Sequence, residues 1–413
     1  MYPSKFLIGV YAQPEYLMNT WKSRGVTTLV VAPDGSDIIQ WSEAASAYGF
    51  DMIRQPSNNI KFDLSLDRLL AWAQPDEPSN TTTTVDYGHV NLDPKELLQY
   101  AEPLREAAAA AGRDMPIWAN HVGNHITDSW ASESALMFDY MEGSESDWLA
   151  SDSYQIQFTG SLTIERDGYM STNQGIALDR VRSWSDDKPS FSFIGTSAIN
   201  SNGFQPTAGQ IEAQIWSSII HGSSGIIYFS IDFSKGFEWD STSPDVVDAI
   251  THANQVIEEN SDLLMQSVQQ NNKRVIYRSA AKGANPDLNE LPYPFEAVEI
   301  TSDNKKYYIV VNLSDTTQVF TADLFGLRNQ IFDPYQTINN LPIKNIIDND
   351  HGAIITPTSP EDDGTILTPY PLDNKENFDG GIHTVTTYTD GNVNTIKKYN
   401  ADWSLMTGQT FDL

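Results

Sequence analysis

Short apolar runs alternate with helix-period stretches eight times in the first 266 residues. FLIGVY (Phe6 to Tyr11) precedes EYLMNTWKSRG, and TTLVVAP (Thr27 to Pro33) precedes DIIQWSEAASAYG, which ends on a C-capping Gly49. DMIRQP (Asp51 to Pro56) is the third run and LLAWAQP (Leu69 to Pro75) the fourth. The clearest helix follows, DPKELLQYAEPLREAAAAAG, with Asp93 placed to cap, Pro94 in the first turn and Gly112 as the stop. MPIWANHVG (Met115 to Gly123), WLASDSYQI (Trp148 to Ile156), SFSFIGTS (Ser190 to Ser197) and GIIYFSIDF (Gly225 to Phe233) are the remaining strands. The helix before the last strand carries Ile211, Ile215 and Ile219 at intervals of four, and one long helix, Ser243 to Met265, closes the set. Eight strand–helix units predict an α/β fold of the (β/α)8 TIM-barrel type over residues 1–266. A doubly wound open sheet shares the alternation but has no reason to stop at eight.

Beyond residue 266 the period changes. RVIYRSA, FEAVEITS, KKYYIVVNLSD and TQVFTADL are strands joined by turns, predicting an antiparallel β-sandwich domain over 267–345. Residues 346–413 are rich in Asp, Asn, Thr, Pro and Gly and are expected to form a β-rich C-terminal tail or small accessory module, with a hairpin turning at Asp390-Gly391.

Composition narrows the partners. The chain has 413 residues, enough for one large domain and smaller ones. Asp and Glu number 55 against 25 Lys and Arg, a net charge of -30, which repels phosphate backbones and argues against nucleic acid. There is no cysteine, hence no thiolate metal site. No apolar run approaches the roughly 20 residues needed to span a bilayer, so membrane insertion is not expected. Met1 to Pro14 lacks the pattern of a signal peptide, and the expected location, extracellular or cell surface, calls for another export route or a leader already removed. With 10 Trp, 18 Tyr and 17 Phe the chain has many flat rings, which serve cores and also stack on sugars.

The polar residues at strand ends are the candidate chemistry, because barrel active sites lie at the strands' C-terminal face. In QPDEP after strand four, Glu77 is placed to enter the mouth, with Pro75 and Pro78 stiffening its loop. Asp76 beside it is read as orienting a neighbour or raising the Glu77 pKa by like-charge repulsion, as a general acid at neutral pH requires. The alternative is an exposed acidic turn. Asp152 after strand six and Asp232 after strand eight are candidates for a second carboxylate, each with a structural hydrogen-bonding role as the alternative. Tyr11, Gln13, Gln55, Trp118, Asn120, His121, Tyr154 and Tyr228 are expected to contact substrate around the same rim, Tyr154 by bonding a carboxylate or a sugar hydroxyl. His121 and His125 are four apart, but no helix is expected there, and no metal site is assigned. No cofactor is required. The acidic turns of the tail (DNDHG, SPEDDG, DGNVN) offer oxygen ligands for a structural calcium without matching an EF-hand. GxSxG, Walker, GxGxxG and HExxH motifs are absent.

AWAQPDEPS resembles the Trp-x-x-x-Asp-Glu-Pro segment of clan A (β/α)8 glycoside hydrolases and hydrolase-like proteins, whose acid/base glutamate follows strand four. SDSYQI resembles their Asp-x-Tyr-Pro segment, Pro206 to Phe233 their passage from helix seven to strand eight, and Lys305 to Leu324 their C-terminal β-sandwich. The resemblance implies a glycosidase acting on a polysaccharide or oligosaccharide, with Glu77 as proton donor. The clan's nucleophile, a glutamate ending strand seven, has no counterpart in FIGTSAIN, and Glu212, the next acid, falls in a helix. A non-catalytic carbohydrate-binding or surface protein on a decayed barrel, or a polysaccharide lyase, are the alternatives. The oligomeric state is not legible.

Overall fold

The computed structural model describes residues 1–78, 94–123, 126, 140–141, 146–166, 169–234, 236–270, 273–277, 291 and 294–342, and four strands beyond residue 374. Eight parallel strands close into a barrel: β1 (Leu7–Tyr11), β2 (Thr28–Val30), β3 (Asp51–Arg54), β4 (Leu69–Ala73), β5 (Ile117–His121), β6 (Trp148–Ser151), β9 (Ser190–Gly195) and β10 (Gly225–Phe229). A hairpin, β7 (Thr163–Arg166) with β8 (Tyr169–Thr172), lies between the sixth and seventh barrel strands. The ring is sealed where Leu7 to Val10 pair in register with Gly225 to Tyr228.

Each strand sends alternate side chains to opposite faces. Leu7, Val30, Ile53, Ala71, Ala73, Trp118, Ala150, Phe191, Phe193 and Ile227 fill the barrel interior, small residues facing large ones. Ile8, Val10, Leu29, Met52, Trp72, Ile117, Ile194 and Tyr228 face outward into the larger core shared with the helices. The Ala208–Ile220 helix starts with a reciprocal capping box between Thr207 and Gln210.

Several element boundaries differ from expectation; the eighth barrel strand, for example, ends at Phe229 rather than Phe233. Strand six ends at Ser151 rather than Ile156, because the chain turns there and Gln155–Thr159 is a short helix. The long closing helix is two, Pro244–Glu259 and Ser261–Gln269, parted at Asn260, whose side-chain amide donates to the carbonyls of Val256 and Pro342.

A buried ion pair fixes the third strand to its helix. The Arg54 guanidinium meets Asp63 at 2.7 Å with both side chains fully buried. Arg54 also donates to the Ser42 hydroxyl, and Asp63 accepts from the Ser57 amide and the Trp72 indole. Burial alone would raise the Asp63 pKa, but the Arg54 and Ser57 donors outweigh it and hold the carboxyl below its usual range.

After the barrel, β11 (Arg274–Tyr277), β12 (Phe295–Ser302), β13 (Lys305–Asn312) and β16 (Thr337–Asn339) form an antiparallel sheet, and β14 (Gln318–Val319) pairs with β15 (Ile331–Phe332). Ile276, Val298, Ile300, Ile309 and Val311 present one face of the sheet to the core shared with the barrel helices. The other face, with Phe295, Ala297 and Val310, is covered by Phe320 and Phe332. Four further strands, Lys375–Asp379, Ile382–Thr389, Asn392–Tyr399 and Leu405–Asp412, pair antiparallel in chain order. The expected turn at Asp390-Gly391, the tail's acidic turns at 348–352 and 359–364, Asp93 and His125 lie outside the described residues.

Barrel and sheet are joined by a buried charged knot. His221, ending the Ala208–Ile220 helix, has its two ring nitrogens 3.0 Å from Asp179 and 3.1 Å from Glu296 of β12. Glu296 also accepts from the Ser217 hydroxyl at 2.8 Å. Burial lowers the His221 pKa, yet the two carboxylates override it and lift it to about 9.

Two predictions follow from these contacts. Arg54→Met should destabilise the fold by about 3–5 kcal/mol in urea unfolding, because Asp63 is then left buried without its partner. The His221 pKa is raised above its unfolded value of about 6.5, so its contribution is fully present below that pH and fades as pH rises through about 9. Unfolding midpoints measured between pH 6 and 10 should therefore fall more steeply for the wild type than for His221→Gln.

Candidate active site

The C-terminal ends of β1, β4, β5 and β6 bring the acids and their partners to one end of the barrel. After Ala73 the chain is anchored by Gln74, buried, whose amide donates to the Leu97 carbonyl and accepts from Ser146. The loop then presents Asp76 and Glu77, both half-buried, with Glu77 in the left-handed region at φ 43. Ala12 and Val31, just past the ends of β1 and β2, also have positive φ, at 50 and 63. Such backbone costs of order 1–3 kcal/mol per residue and clusters where geometry serves function.

Asp76 is gripped from both sides. The Tyr11 hydroxyl donates to its Oδ2 at 2.7 Å, and the Asn120 amide donates to its Oδ1 at 2.9 Å. Asp152 leaves the barrel ladder just after β6, and its Oδ1 accepts the Gly123 N–H at 2.8 Å. Only glycine fits at 123: a Cβ there would lie 2.5 Å from the Ser153 backbone. The Asp152 carboxyl is in turn hydrogen-bonded to Glu77.

Two carboxyls in contact cannot both ionise at ordinary cost. Burial, and then the adjacent Glu77 and the nearby Asp76, push the Asp152 pKa well above the usual carboxylate range, while the Gly123 N–H opposes the rise. Both burial and the neighbouring acids thus favour the protonated form of Asp152. Tyr11 and Tyr154 are pushed up by burial first and by the same three acids next, so both stay protonated as hydrogen-bond donors.

An aromatic wall stands with the acids. Tyr11 lies 5.5 Å from Phe193 and 5.9 Å from Phe229, ring centre to ring centre, and Tyr154 lies 6.3 and 5.3 Å from the same two rings. Carboxyls, tyrosine hydroxyls and rings thus adjoin one another at one end of the barrel, with Phe193 itself buried and Tyr11, Tyr154 and Phe229 partly exposed.

The structure thus brings together Asp76, Glu77, Asp152, Tyr11, Asn120 and Tyr154. Gln55 stays at the rim, half-buried, accepting the Ala32 amide at 3.3 Å. The other sequence candidates take structural places. Trp118 is fully buried in the barrel interior, a layer below Asn120. His121, one residue on, faces the opposite side by strand alternation, and burial drives its pKa down to about 4, so it stays neutral. Tyr228 faces the helices, where it donates to Asn254 at 2.7 Å and stacks on Trp21. Gln13 is buried and holds Tyr11, Ser230 and Trp239, while Trp21 donates to its Oε1. Asp232 closes a turn by accepting from the Ser234 amide and the Ser241 hydroxyl. The seventh barrel strand ends at Gly195, Thr196 follows it, and Glu212 lies in the next helix.

Gly123, Phe193 and Phe229 are site residues that the sequence reading missed. The two phenylalanines read as core, and only their positions on β9 and β10, two residues above interior Phe191 and Ile227, could have flagged them. Gly123 acts through its backbone, which leaves no signature in side-chain chemistry.

The chain is a (β/α)8 barrel with a carboxyl cluster at its C-terminal mouth. It is similar in structure to a family 39 glycoside hydrolase from Bacteroides cellulosilyticus at 12% identity and a TM-score of 0.43, over 76% of this chain and 72% of that one. It is also similar to a glucosidase from Croceicoccus marinus, at 11% identity and a TM-score of 0.38, over 83% and 82%. An alpha-galactosidase from Saccharomyces cerevisiae aligns at 11% identity and a TM-score of 0.40, over 76% and 75%. No family model matches the sequence, and no curated protein sequence does either.

Glu77→Gln removes the neighbouring charge that lifts Asp152. Carboxyl titration by 13C NMR should show the Asp152 resonance moving to a lower pKa in that variant; an unchanged midpoint would mean the two groups are not coupled.

Proposed function

We propose that this protein cleaves glycosidic bonds of an oligosaccharide or polysaccharide by carboxylate general acid/base catalysis. The hydrogen-bonded Glu77–Asp152 pair carries this reading, standing beside the Tyr11–Phe193–Phe229–Tyr154 wall. The pair enters the reaction with one proton. Glu77, on the strained loop, passes it to the departing glycosidic oxygen, and Asp152 serves as the second carboxylate and proton reservoir. Hydrolysis requires the two groups about 5–5.5 Å apart for a covalent route or about 6.5–9.5 Å for direct attack by water. The resting contact is shorter, so entry of the sugar's bridging oxygen must part them. Asp76, fixed by Tyr11 and Asn120, supplies negative charge beside the positive charge that develops on the sugar ring.

A second reading, a carbohydrate-binding protein without turnover, is favoured by the end of the seventh barrel strand, where Thr196 bonds Thr242 and no acid is presented. Elimination from a uronate has less support, since the substrate's own carboxylate would have to enter beside Asp76, Glu77 and Asp152.

The two readings separate on release of reducing ends from a panel of polysaccharides. The wild type should release them, and Glu77→Gln and Asp152→Asn should each lower turnover by about 10²–10⁴-fold with unchanged unfolding midpoints. Glycan binding without release by the wild type would favour the non-catalytic reading, and full activity in both variants would remove the proposed mechanism.

A further inference from the structure

A line of aromatic rings leaves the mouth and continues onto the outer surface. Phe229, in contact with Tyr11 and Tyr154, is 6.5 Å from Phe233, which is 5.4 Å from Phe237, which is 4.5 Å from Trp239. Phe233 is 38% exposed and Phe237 42%, unusual for two large apolar side chains side by side. The last two contacts are edge-to-face, at 67° and 87°, so the rings do not bury their faces against each other.

Both ends of the loop that carries them are tied down. Asp232 and Glu238 exchange two backbone hydrogen bonds at 3.0 and 2.9 Å, and the Asp232 carboxylate accepts from Ser234 and Ser241. Gln13 and Ser230 both donate to the Trp239 carbonyl, tying the loop to the end of β1. Phe237 has φ 75, a conformation that a bulky residue adopts only when its surroundings impose it. A core would gain nothing from strain that turns a phenylalanine outward. A rigid ring face offered to a ligand does gain, because no ordering of the loop is then required on binding.

We propose that Phe233 and Phe237 form an outlying stacking platform, continuous with the mouth, that carries further sugar units of an uncharged glycan chain. The occupant is set by two features. Flat apolar rings at successive steps suit the repeating pyranose faces of an extended chain. Acids outnumber bases 55 to 25 across the protein, so a polyuronate or sulfated chain meets repulsion from the molecule as a whole, although near the rings Asp240 is paired with Arg24 and Lys235 lies between the two phenylalanines in sequence. This platform rests on the glycan reading of the mouth.

The test is calorimetric titration of the full chain carrying Glu77→Gln, so that the ligand stays intact. The probes are cello-, laminari-, manno-, xylo- and chito-oligosaccharides of two and six units, with hexagalacturonate as the anionic control. In at least one neutral series the hexasaccharide should bind more tightly than the disaccharide and than hexagalacturonate. Adding Phe233→Ala with Phe237→Ala should weaken hexasaccharide binding about tenfold or more and leave disaccharide binding within about twofold. Tyrosine at both positions should retain the hexasaccharide affinity, which a collapsed loop would not. Equal losses on both lengths, no loss on either, or tighter binding of hexagalacturonate would overturn the platform while leaving the mouth a glycan site. Failure of every probe to bind would remove the glycan reading, and the platform with it.

Discussion

Closure of the eight-stranded sheet is the constraint on which the site depends. Pairing of β1 with β10 brings Tyr11 beside Phe229, and the circular order places both in one mouth with the acids of the fourth and sixth strands. In an open sheet the two end strands would lie at opposite edges, and the Tyr11 hydroxyl would not face Asp76. The interior allows the ring to close because Ala71, Ala73 and Ala150 leave room for Trp118, Trp148 and Phe191. The acid-bearing end and the packed interior are therefore solutions to one geometric problem.

Within the mouth, three similar carboxyls have different partners. Asp76 receives two side-chain donors, the Tyr11 hydroxyl and the Asn120 amide. Asp152 has an acid neighbour, which together with burial favours its protonated form and outweighs the opposing pull of its one backbone donor, the Gly123 N–H. The difference arises from what each group touches, since all three are carboxylic acids of nearly equal intrinsic strength. The side-by-side placement of Asp76 and Glu77 in the sequence gains its purpose here: one faces the Tyr11–Asn120 clamp and the other the Asp152 carboxyl.

Several polar residues at strand ends serve the site indirectly. Gln13 and Asp232 bind backbone and hydroxyl groups that hold the β1 and β10 loops, and so set where Tyr11 and the outer aromatic rings stand. Tyr228 and His121 sit on the helix side of their strands, one residue out of phase with Phe229 and Asn120. A one-residue step on a strand exchanges interior for exterior. That parity was available in the sequence, for Trp118 and Asn120 share one face of β5 and His121 the other, but it required knowing which face was the interior. The remote joints have the same character: Arg54 with Asp63 and His221 with Glu296 are contacts that no local pattern announces.

The sequence alone determined the eight strand–helix units, the change to antiparallel strands after them and the acids after strands four and six, because apolar periodicity and strand-end position are local properties of the chain. The tertiary structure decided which acids meet. Glu77 and Asp152 are 75 positions apart in the chain, and their contact depends on strand curvature, on the turn at Ser151 and on a glycine at 123 without a side chain to block it. Coupling between carboxyls, ring contacts and buried ion pairs all depend on distances of a few ångströms between remote segments, and those distances are fixed only when the barrel closes.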